Sequence, residues 1–110
     1  MQIRELDLKE LYSVYDVLSQ LYGELTYKEF EDLVYDMRHM DYKMIGILDS
    51  DELVTYAGVS IMTTFKEKRH LMVFELLTDK KYDALKYDNM MREYLQDYAR
   101  TAMCNKVVYK

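Results

Sequence analysis

A glutamate inside an apolar segment is the residue best placed to do chemistry. Glu75 interrupts the run from Leu71 to Thr78, whose other members are almost all apolar. Burial disfavours the charged form of a carboxyl group and raises its pKa, so such a group can accept a proton from an amine nucleophile, directly or through water. The sequence therefore indicates Glu75 as a candidate general base. The alternative interpretation is a structural glutamate satisfied by a neighbouring arginine or a backbone amide.

The two histidines and the one cysteine offer less specific chemistry. His70 directly precedes the same run, where a titrating imidazole would assist proton transfer, but its neighbour Arg69 favours a histidine on the surface. His39 is interpreted as a helix-end residue. Cys104 has no histidine nearby in sequence, which favours a buried, small apolar side chain over a reactive thiol. No spacing of His, Cys, Asp and Glu indicates a metal site.

The composition limits the classes of protein to consider. The 110 residues are 50% hydrophobic and 32% charged, with no proline and 3 glycines, which predicts a single domain over residues 1–110. A formal charge of −5 argues against nucleic acid, because neutralising phosphates requires clustered lysine and arginine. A lone cysteine and the lack of a leader predict a cytoplasmic location. No apolar stretch approaches the roughly 18 residues of a membrane span, so no membrane is expected.

Hydrophobic periodicity predicts an α/β (α+β) domain with the order β-α-α-β-β-β-α-β. Asp7 and Thr26 each begin a capping box, which predicts a first helix ending at Gly23 and a second running to about Met40. The strands are predicted at Gln2 to Leu6, Tyr42 to Leu48, Leu53 to Thr64, Leu71 to Thr78 and Lys106 to Tyr109, and the long helix at about Lys80 to Met103.

This order, together with four short strings, resembles the GNAT superfamily of acyl-CoA-dependent N-acyltransferases. The strings are Ile3-Arg-Glu-Leu6, Leu53-Val-Thr-Tyr-Ala-Gly58, Phe74-Glu-Leu-Leu-Thr-Asp79 and Tyr94-Leu-Gln-Asp-Tyr-Ala-Arg100. The resemblance implies a mixed, mostly antiparallel sheet with helices on both faces, lacking the family's C-terminal helix and strands. It also implies transfer of an acetyl group from acetyl-CoA to an amine of a small molecule or a protein.

The resemblance assigns roles to six residues. It implies that Glu75 is the catalytic base and that backbone amides near Leu77 and Thr78 hold the acyl carbonyl and the pantetheine arm. It places three further cofactor-binding residues at the start of the long helix: Lys86, Tyr87 and Asn89. Tyr87 has the alternative of a core residue on the apolar stripe of that helix.

One motif departs from the family's pattern. The family's phosphate loop, Arg/Gln-x-x-Gly-x-Gly/Ala, lets backbone amides approach a pyrophosphate. Here Asp83 replaces the arginine or glutamine, and Lys86 and Asp88 replace the two glycines. Acetyl-CoA binding is therefore predicted to be weakened or lost, and the alternative function is a non-catalytic GNAT-fold binding or regulatory module. Residues 79–89 contain no helix breaker, so the long helix is predicted to extend back through the loop, with Asp79 and Asp83 favouring its N-terminus.

The last strand predicts a homodimer. Lys106 to Tyr109 ends the chain as an unpaired edge that carries valine and tyrosine, and exposed edges tend to pair or to be covered. A two-fold contact closes on itself, whereas a head-to-tail contact propagates. The alternative is a monomer whose short edge is guarded by Lys106 and Lys110.

Overall fold

A five-stranded sheet forms the centre of the protein, which is described here by a computed structural model covering residues 1–110. The strands follow the chain in the order β1-β2-β3-β4-β5; the first four are antiparallel, and β5 is parallel to β4. This confirms the predicted α/β order and the mostly antiparallel sheet. The elements are β1 (Gln2–Glu5), α1 (Leu11–Leu18), α2 (Tyr27–Met37), β2 (Lys43–Asp49), β3 (Glu52–Thr64), β4 (Lys68–Thr78), α3 (Ala84–Thr101) and β5 (Lys106–Tyr109), with 3-10 turns at Leu8–Glu10 and Arg38–Met40.

Helices cover both faces of the sheet, because apolar side chains alternate between two cores. Met44 of β2 packs with α1 and α2, whereas its neighbour Ile45 packs with α3. The first core includes Leu11, Val14, Phe30, Val34, Tyr42 and Tyr56. The second core includes Val54, Leu71, Val73, Tyr87, Met91 and Leu95.

Both predicted capping boxes are present, but the first helix is shorter than predicted. Thr26 forms the predicted capping box of α2, whereas the capping box of Asp7 begins the 3-10 turn Leu8–Glu10, and α1 follows from Leu11 with no side-chain cap. Helix α1 ends at Leu18, and the segment up to Gly23 forms turns instead. The Tyr15 hydroxyl donates to the Leu25 carbonyl at 2.6 Å, which ties the segment after α1 back onto the helix. A tertiary hydrogen bond thus stabilises the turns.

The prediction that α3 extends back through the preceding loop was wrong, since the helix begins at Ala84. Asp83 has an extended backbone, with φ −72° and ψ 100°, and its carboxylate caps the helix by accepting from the Lys86 amide. The preceding residues are fixed to the sheet, because the Asp79 amide donates to the Val54 carbonyl at 2.8 Å. The Tyr82 amide closes a turn onto the Asp79 carbonyl at 2.9 Å. These bonds outweigh the helix propensity of the loop.

Strand β4 is bent and partly unpaired. The register with β3 changes from Gly58↔Glu75 to Val59↔Val73, so Phe74 is an extra residue in a β-bulge. Pairing with β5 covers only His70 to Val73, and the Lys110 amide extends it by one bond of 3.0 Å to the Val73 carbonyl. The remaining segment, Phe74 to Thr78, has a free backbone edge on the β5 side.

Candidate functional site

Three hydrogen-bonded side chains surround the bent part of β4. The Tyr42 hydroxyl donates to Glu75 Oε1 at 2.5 Å, and the hydroxyls of Tyr42 and Tyr56 lie 2.6 Å apart. A phenol has one proton to donate, so the Tyr56 hydroxyl must be the donor to Tyr42 when the Glu75 carboxylate is ionised. A directed chain of hydrogen bonds therefore ends on Glu75.

Gly58 makes this arrangement possible. It lies opposite Glu75 in the β3–β4 pairing. A Cβ at position 58 would overlap the Tyr42 hydroxyl and the Glu75 carboxylate. The backbone at this position does not require glycine for its conformation, since no glycine of the protein has a positive φ. The absence of a side chain is what the close approach of the three polar groups requires.

Burial sets the protonation of the three groups. Burial raises the pKa of Glu75 above its ordinary value of 4.5, although the Tyr42 hydrogen bond and the positive charge of Lys110 act in the opposite direction. Burial also raises the pKa of the Tyr42 and Tyr56 hydroxyls. Both phenols therefore stay protonated at neutral pH, which leaves Glu75 as the proton acceptor of the three.

A cavity of about 260 Å³ opens onto Glu75 from the side of the sheet that α1 and α2 cover. Its floor is formed by Tyr42, Tyr56 and Glu75. Its walls are apolar: Leu18, Tyr22, Leu25, Phe30, Leu33 and Met37. The cavity therefore joins an apolar volume to a single proton-accepting group, which suits a ligand with one basic nitrogen.

The loop between β4 and α3 satisfies its own backbone. The Lys80 amide donates to Gln20 Oε1 at 3.0 Å, and the Lys81 amide donates to Asp79 Oδ1 at 3.0 Å. The Tyr82 amide donates to the Asp79 carbonyl. Each of these N–H groups already has a protein acceptor, so none is free to receive an anion.

The start of α3 carries its own negative charge. The Asp83 carboxylate accepts from the Lys86 amide at 3.3 Å and so occupies the anion position at the helix N-terminus. Asp88 accepts from the Thr78 hydroxyl at 2.7 Å, and Thr78 in turn lies 2.7 Å from the Thr55 hydroxyl. Asp88 thereby links α3 to the sheet.

The other residues assigned to cofactor binding are not brought together as one group. Tyr87 is buried in the second core, which matches its structural interpretation, and its ring packs edge-on against Tyr82. Lys86 and Asn89 are exposed on α3, with the Lys86 ammonium 5.2 Å from the Tyr87 ring centre. Leu77 is half-buried on the free segment of β4, next to Thr78.

The expectation of a surface His70 was wrong. Its side chain is only 1% exposed, and Nδ1 lies 2.8 Å from the Lys68 carbonyl. His70 is buried because its strand is paired with β3 on one side and with β5 on the other. Its charged neighbour Arg69 does not prevent this burial. His39 lies in the 3-10 turn at the end of α2, as predicted, and is exposed. Cys104 is partly buried against the second core as a free thiol.

An acyl-CoA fits one half of this site. The free edge of β4 from Phe74 to Thr78 offers backbone groups to a pantetheine arm. The start of α3 does not fit a pyrophosphate, because the loop amides are already bonded and the helix terminus is capped by the Asp83 carboxylate. No three metal-ligating side chains converge, and no helix has the length and apolar character needed to cross a bilayer.

Sequence reasoning found Glu75 but missed Tyr42 and Tyr56. Tyr42 directly precedes β2 and Tyr56 lies in β3, among many other tyrosines, and their convergence depends on the register of three strands. A glycine in the middle of a strand is a signal of close approach by another group. Gly58 was therefore the one indication in the sequence that side chains meet at this point.

The fold resembles that of solved acetyltransferases. No family model matches the sequence, and no curated protein matches it. A GNAT family acetyltransferase from Staphylococcus aureus superimposes with a TM-score of 0.86 at 7% identity, covering 99% of this chain and 84% of that one. Glucosamine-6-phosphate N-acetyltransferase from Arabidopsis thaliana gives 0.74 at 20% identity, covering 99% and 80%.

A third structure leads to the same conclusion about the fold. Ribosomal-protein-alanine N-acetyltransferase from Brucella melitensis superimposes with a TM-score of 0.79 at 15% identity, covering 99% of this chain and 78% of that one. All three superpositions cover 99% of this chain, so they include its sheet and the helices on both faces. The protein therefore has the GNAT fold.

Proposed function

We propose that the protein is an N-acyltransferase that moves an acyl group, such as acetyl, from a thioester to an amine, with Glu75 as the proton acceptor. The observation that carries the proposal is the position of Glu75: its carboxylate lies on the free segment of β4 and also at the floor of the apolar cavity. A donor along β4 and an amine in the cavity would meet at this residue. The acetyltransferase neighbours support the proposal at the level of the fold.

Glu75 performs the proton transfer in this proposal. An amine is protonated in neutral water and attacks a carbonyl carbon only after it loses a proton. A carboxylate whose pKa is raised by burial is a stronger base than an exposed glutamate. The Tyr42 hydroxyl orients the carboxylate, and the Tyr56 hydroxyl fixes Tyr42.

The backbone of β4 holds the donor in this proposal. Leu77 and Thr78 lie on the segment that has no strand partner on the β5 side. The Thr78 backbone faces that side, whereas the Leu77 backbone faces β3, as does that of Asp79, whose amide bonds to the Val54 carbonyl. Backbone amides in a strand are rigid, so they can stabilise the negative charge that develops on an acyl oxygen without reorganising. A bound acyl-CoA supplies the acyl group as an activated thioester. The capped start of α3 offers no backbone site to its phosphates, so only exposed side chains such as those of Lys86 and Asn89 could contact them.

A second candidate function is a non-catalytic binding or regulatory module. The observation that favours it is the closed loop: the amides of Lys80, Lys81 and Tyr82 are bonded within the protein, and Asp83 caps α3. A protein that no longer binds acyl-CoA would keep the cavity as a ligand site only.

Calorimetric titration with acetyl-CoA tests the donor half of the proposal. We expect the wild-type protein to bind more weakly than micromolar, because each charge-assisted hydrogen bond that the loop does not offer is worth about 1.5–3 kcal/mol. The triple variant Asp83→Arg, Lys86→Gly, Asp88→Gly should bind at least about tenfold more tightly, which corresponds to ~1.4 kcal/mol. Micromolar binding by the wild type contradicts this prediction.

A charge-matched control makes the titration specific. Glu93→Arg raises the net charge by the same amount as the triple variant but lies farther along α3 on its exposed side. It should leave the affinity for acetyl-CoA unchanged. Mass spectrometry of amines incubated with excess acetyl-CoA then separates the two functions: an acetylated product supports the transferase, and none from a folded triple variant that binds acetyl-CoA supports the module.

We also propose a homodimer formed through β5, the edge strand of the sheet. Val107 and Val108 are only half-buried there, and Tyr109 is 38% exposed. Light scattering after size exclusion should give twice the 13.3 kDa chain mass at tens of micromolar protein. Val108→Lys should convert the dimer to a monomer, whereas Lys43→Met, on β2 inside the sheet, should not. A wild-type mass of one chain contradicts the dimer.

A further inference from the structure

The lining of the cavity above Glu75 is almost entirely apolar, which restricts the ligands that it can bind. All of its lining residues except Glu75 are apolar or aromatic. The two phenols on its floor donate their hydrogen bonds within the protein, since Tyr56 donates to Tyr42 and Tyr42 donates to Glu75. Neither hydroxyl proton is available to a ligand. The Glu75 carboxylate is therefore the strongest acceptor that a ligand meets, and the only further polar group on the walls is the Tyr22 hydroxyl at the more exposed end.

The size of the cavity limits the ligand further. Its volume of about 260 Å³ is slightly below the roughly 300–1,000 Å³ of pockets that bind drug-sized ligands, which favours a smaller molecule. Aromatic rings stand around this space: Phe30 lies on one wall, and Tyr22 lies at the more exposed end. A flat apolar group would pack against these rings.

We infer that the acceptor of this protein is a compact primary amine with an apolar, preferably aromatic, body, whose ammonium group pairs with Glu75. This inference rests on the proposed function, because only a transferase has an acceptor. Binding of the amine to the cavity, however, does not depend on catalysis. Sugars, aminoglycosides and peptide N-termini are disfavoured, because most of their hydroxyls and amides would lose water and find no partner on walls whose one polar group is the Tyr22 hydroxyl. A single charged hydrogen bond in an apolar cavity gives the selectivity.

Ligand titration without any acyl donor tests the inference. The probes are 2-phenylethylamine as a compact apolar amine, the neutral analogue 2-phenylethanol, and glucosamine as a polar amine. The expected order of affinity by calorimetry or NMR places 2-phenylethylamine at least about tenfold ahead of both others. Equal or tighter binding of glucosamine, or no saturable binding of 2-phenylethylamine, overturns the inference.

Substitutions at the mouth of the cavity locate the binding. Leu33 lines the cavity on α2 and is 47% exposed, so Leu33→Lys should leave the fold intact while placing a positive charge against the ammonium group. Tyr35→Lys is the matched control, since Tyr35 is 50% exposed on the same helix and does not line the cavity. We expect Leu33→Lys to weaken binding at least about tenfold and Tyr35→Lys to leave it unchanged. Equal effects of the two substitutions overturn the inference.

Glu75→Gln tests the charge pairing itself. It should remove the preference for 2-phenylethylamine over 2-phenylethanol, and a preference that persists in a folded variant overturns the inference. If this variant does not fold, the Leu33 and Tyr35 pair decides the question alone. The result is separable from that for the proposed function: amine binding without any acetylated product refutes the transferase and keeps the ligand class. Acetylation of polar amines alone supports the transferase and refutes the inferred ligand class.

Discussion

Replacing Glu75 with glutamine is expected to lower the rate of acyl transfer to an amine at least about 100-fold, because a positioned general base contributes roughly 10²–10⁴-fold to a rate. Glutamine retains the size of the side chain and can still accept the hydrogen bond from Tyr42. It cannot accept the amine proton. The measurement is the initial rate of product formation by mass spectrometry at saturating amine and donor.

Glu93→Gln is the matched control for this substitution. Glu93 is exposed on α3 and takes no part in the hydrogen bonds around Glu75. The control should have the wild-type rate. A loss of less than about tenfold in Glu75→Gln, with the control unchanged, would contradict the assignment of Glu75 as the base, since even modest proton-transfer catalysis exceeds that factor.

The pH dependence gives an independent check on Glu75. The wild-type rate should fall as the pH is lowered through the pKa of Glu75, because the protonated carboxyl can no longer accept a proton. Burial raises this pKa, so the fall should begin at a higher pH than the ordinary value of 4.5 would give. The residual rate of Glu75→Gln should not show this decrease at low pH. A decrease that is the same in both proteins assigns the titration to another group.

Stability separates a catalytic Glu75 from a structural one. The folded protein keeps the Glu75 proton at pH values where the unfolded chain has lost it, because the folded pKa is raised. The resulting stabilisation is complete below the unfolded pKa and is lost as the pH rises through the folded pKa. Glu75→Gln does not ionise, so in mildly alkaline buffer its Tm should equal or exceed that of the wild type. A clearly lower Tm would favour the structural interpretation.

The fold was predictable because local signals in the sequence agree with one another. Thr26 and Glu29 cap α2 as their spacing indicates, and the alternation in β2 assigns Met44 and Ile45 to opposite cores. The exceptions are segments in which a tertiary contact decides the structure. The Asp79 amide is fixed to Val54 across the sheet, which no local pattern in residues 79–83 reveals.

The candidate site was only partly predictable for the same reason. Glu75 stands out because a charge in an apolar strand is unusual in the sequence itself. Its partners are distant along the chain: Tyr42 is 33 residues away, and Tyr56 reaches it only through Tyr42. His70 shows the opposite error, since a charged neighbour says little about burial in a strand that has partners on both sides.

Gly58→Ala should lower the free energy of unfolding by about 3 kcal/mol, since overpacking of a core costs roughly 1–3 kcal/mol and an unsatisfied buried polar group costs a similar amount. The added Cβ would overlap the Tyr42 hydroxyl and displace it from Glu75. Tyr56 would then lose its acceptor in the first core. Urea denaturation followed by circular dichroism measures the change.

Two companion variants show whether the close approach causes the loss. Gly23→Ala is the control, because a Cβ at Gly23 would meet only the Ser19 carbonyl at an ordinary 3.9 Å, and it should change stability by no more than about 0.5 kcal/mol or raise it. Tyr42→Phe removes the hydroxyl that a Cβ at position 58 would overlap most closely. The cost of Gly58→Ala should therefore be smaller in the Tyr42→Phe background, which a double-mutant cycle detects as coupling. If the two costs simply add, Gly58 is required for a reason other than its contact with Tyr42.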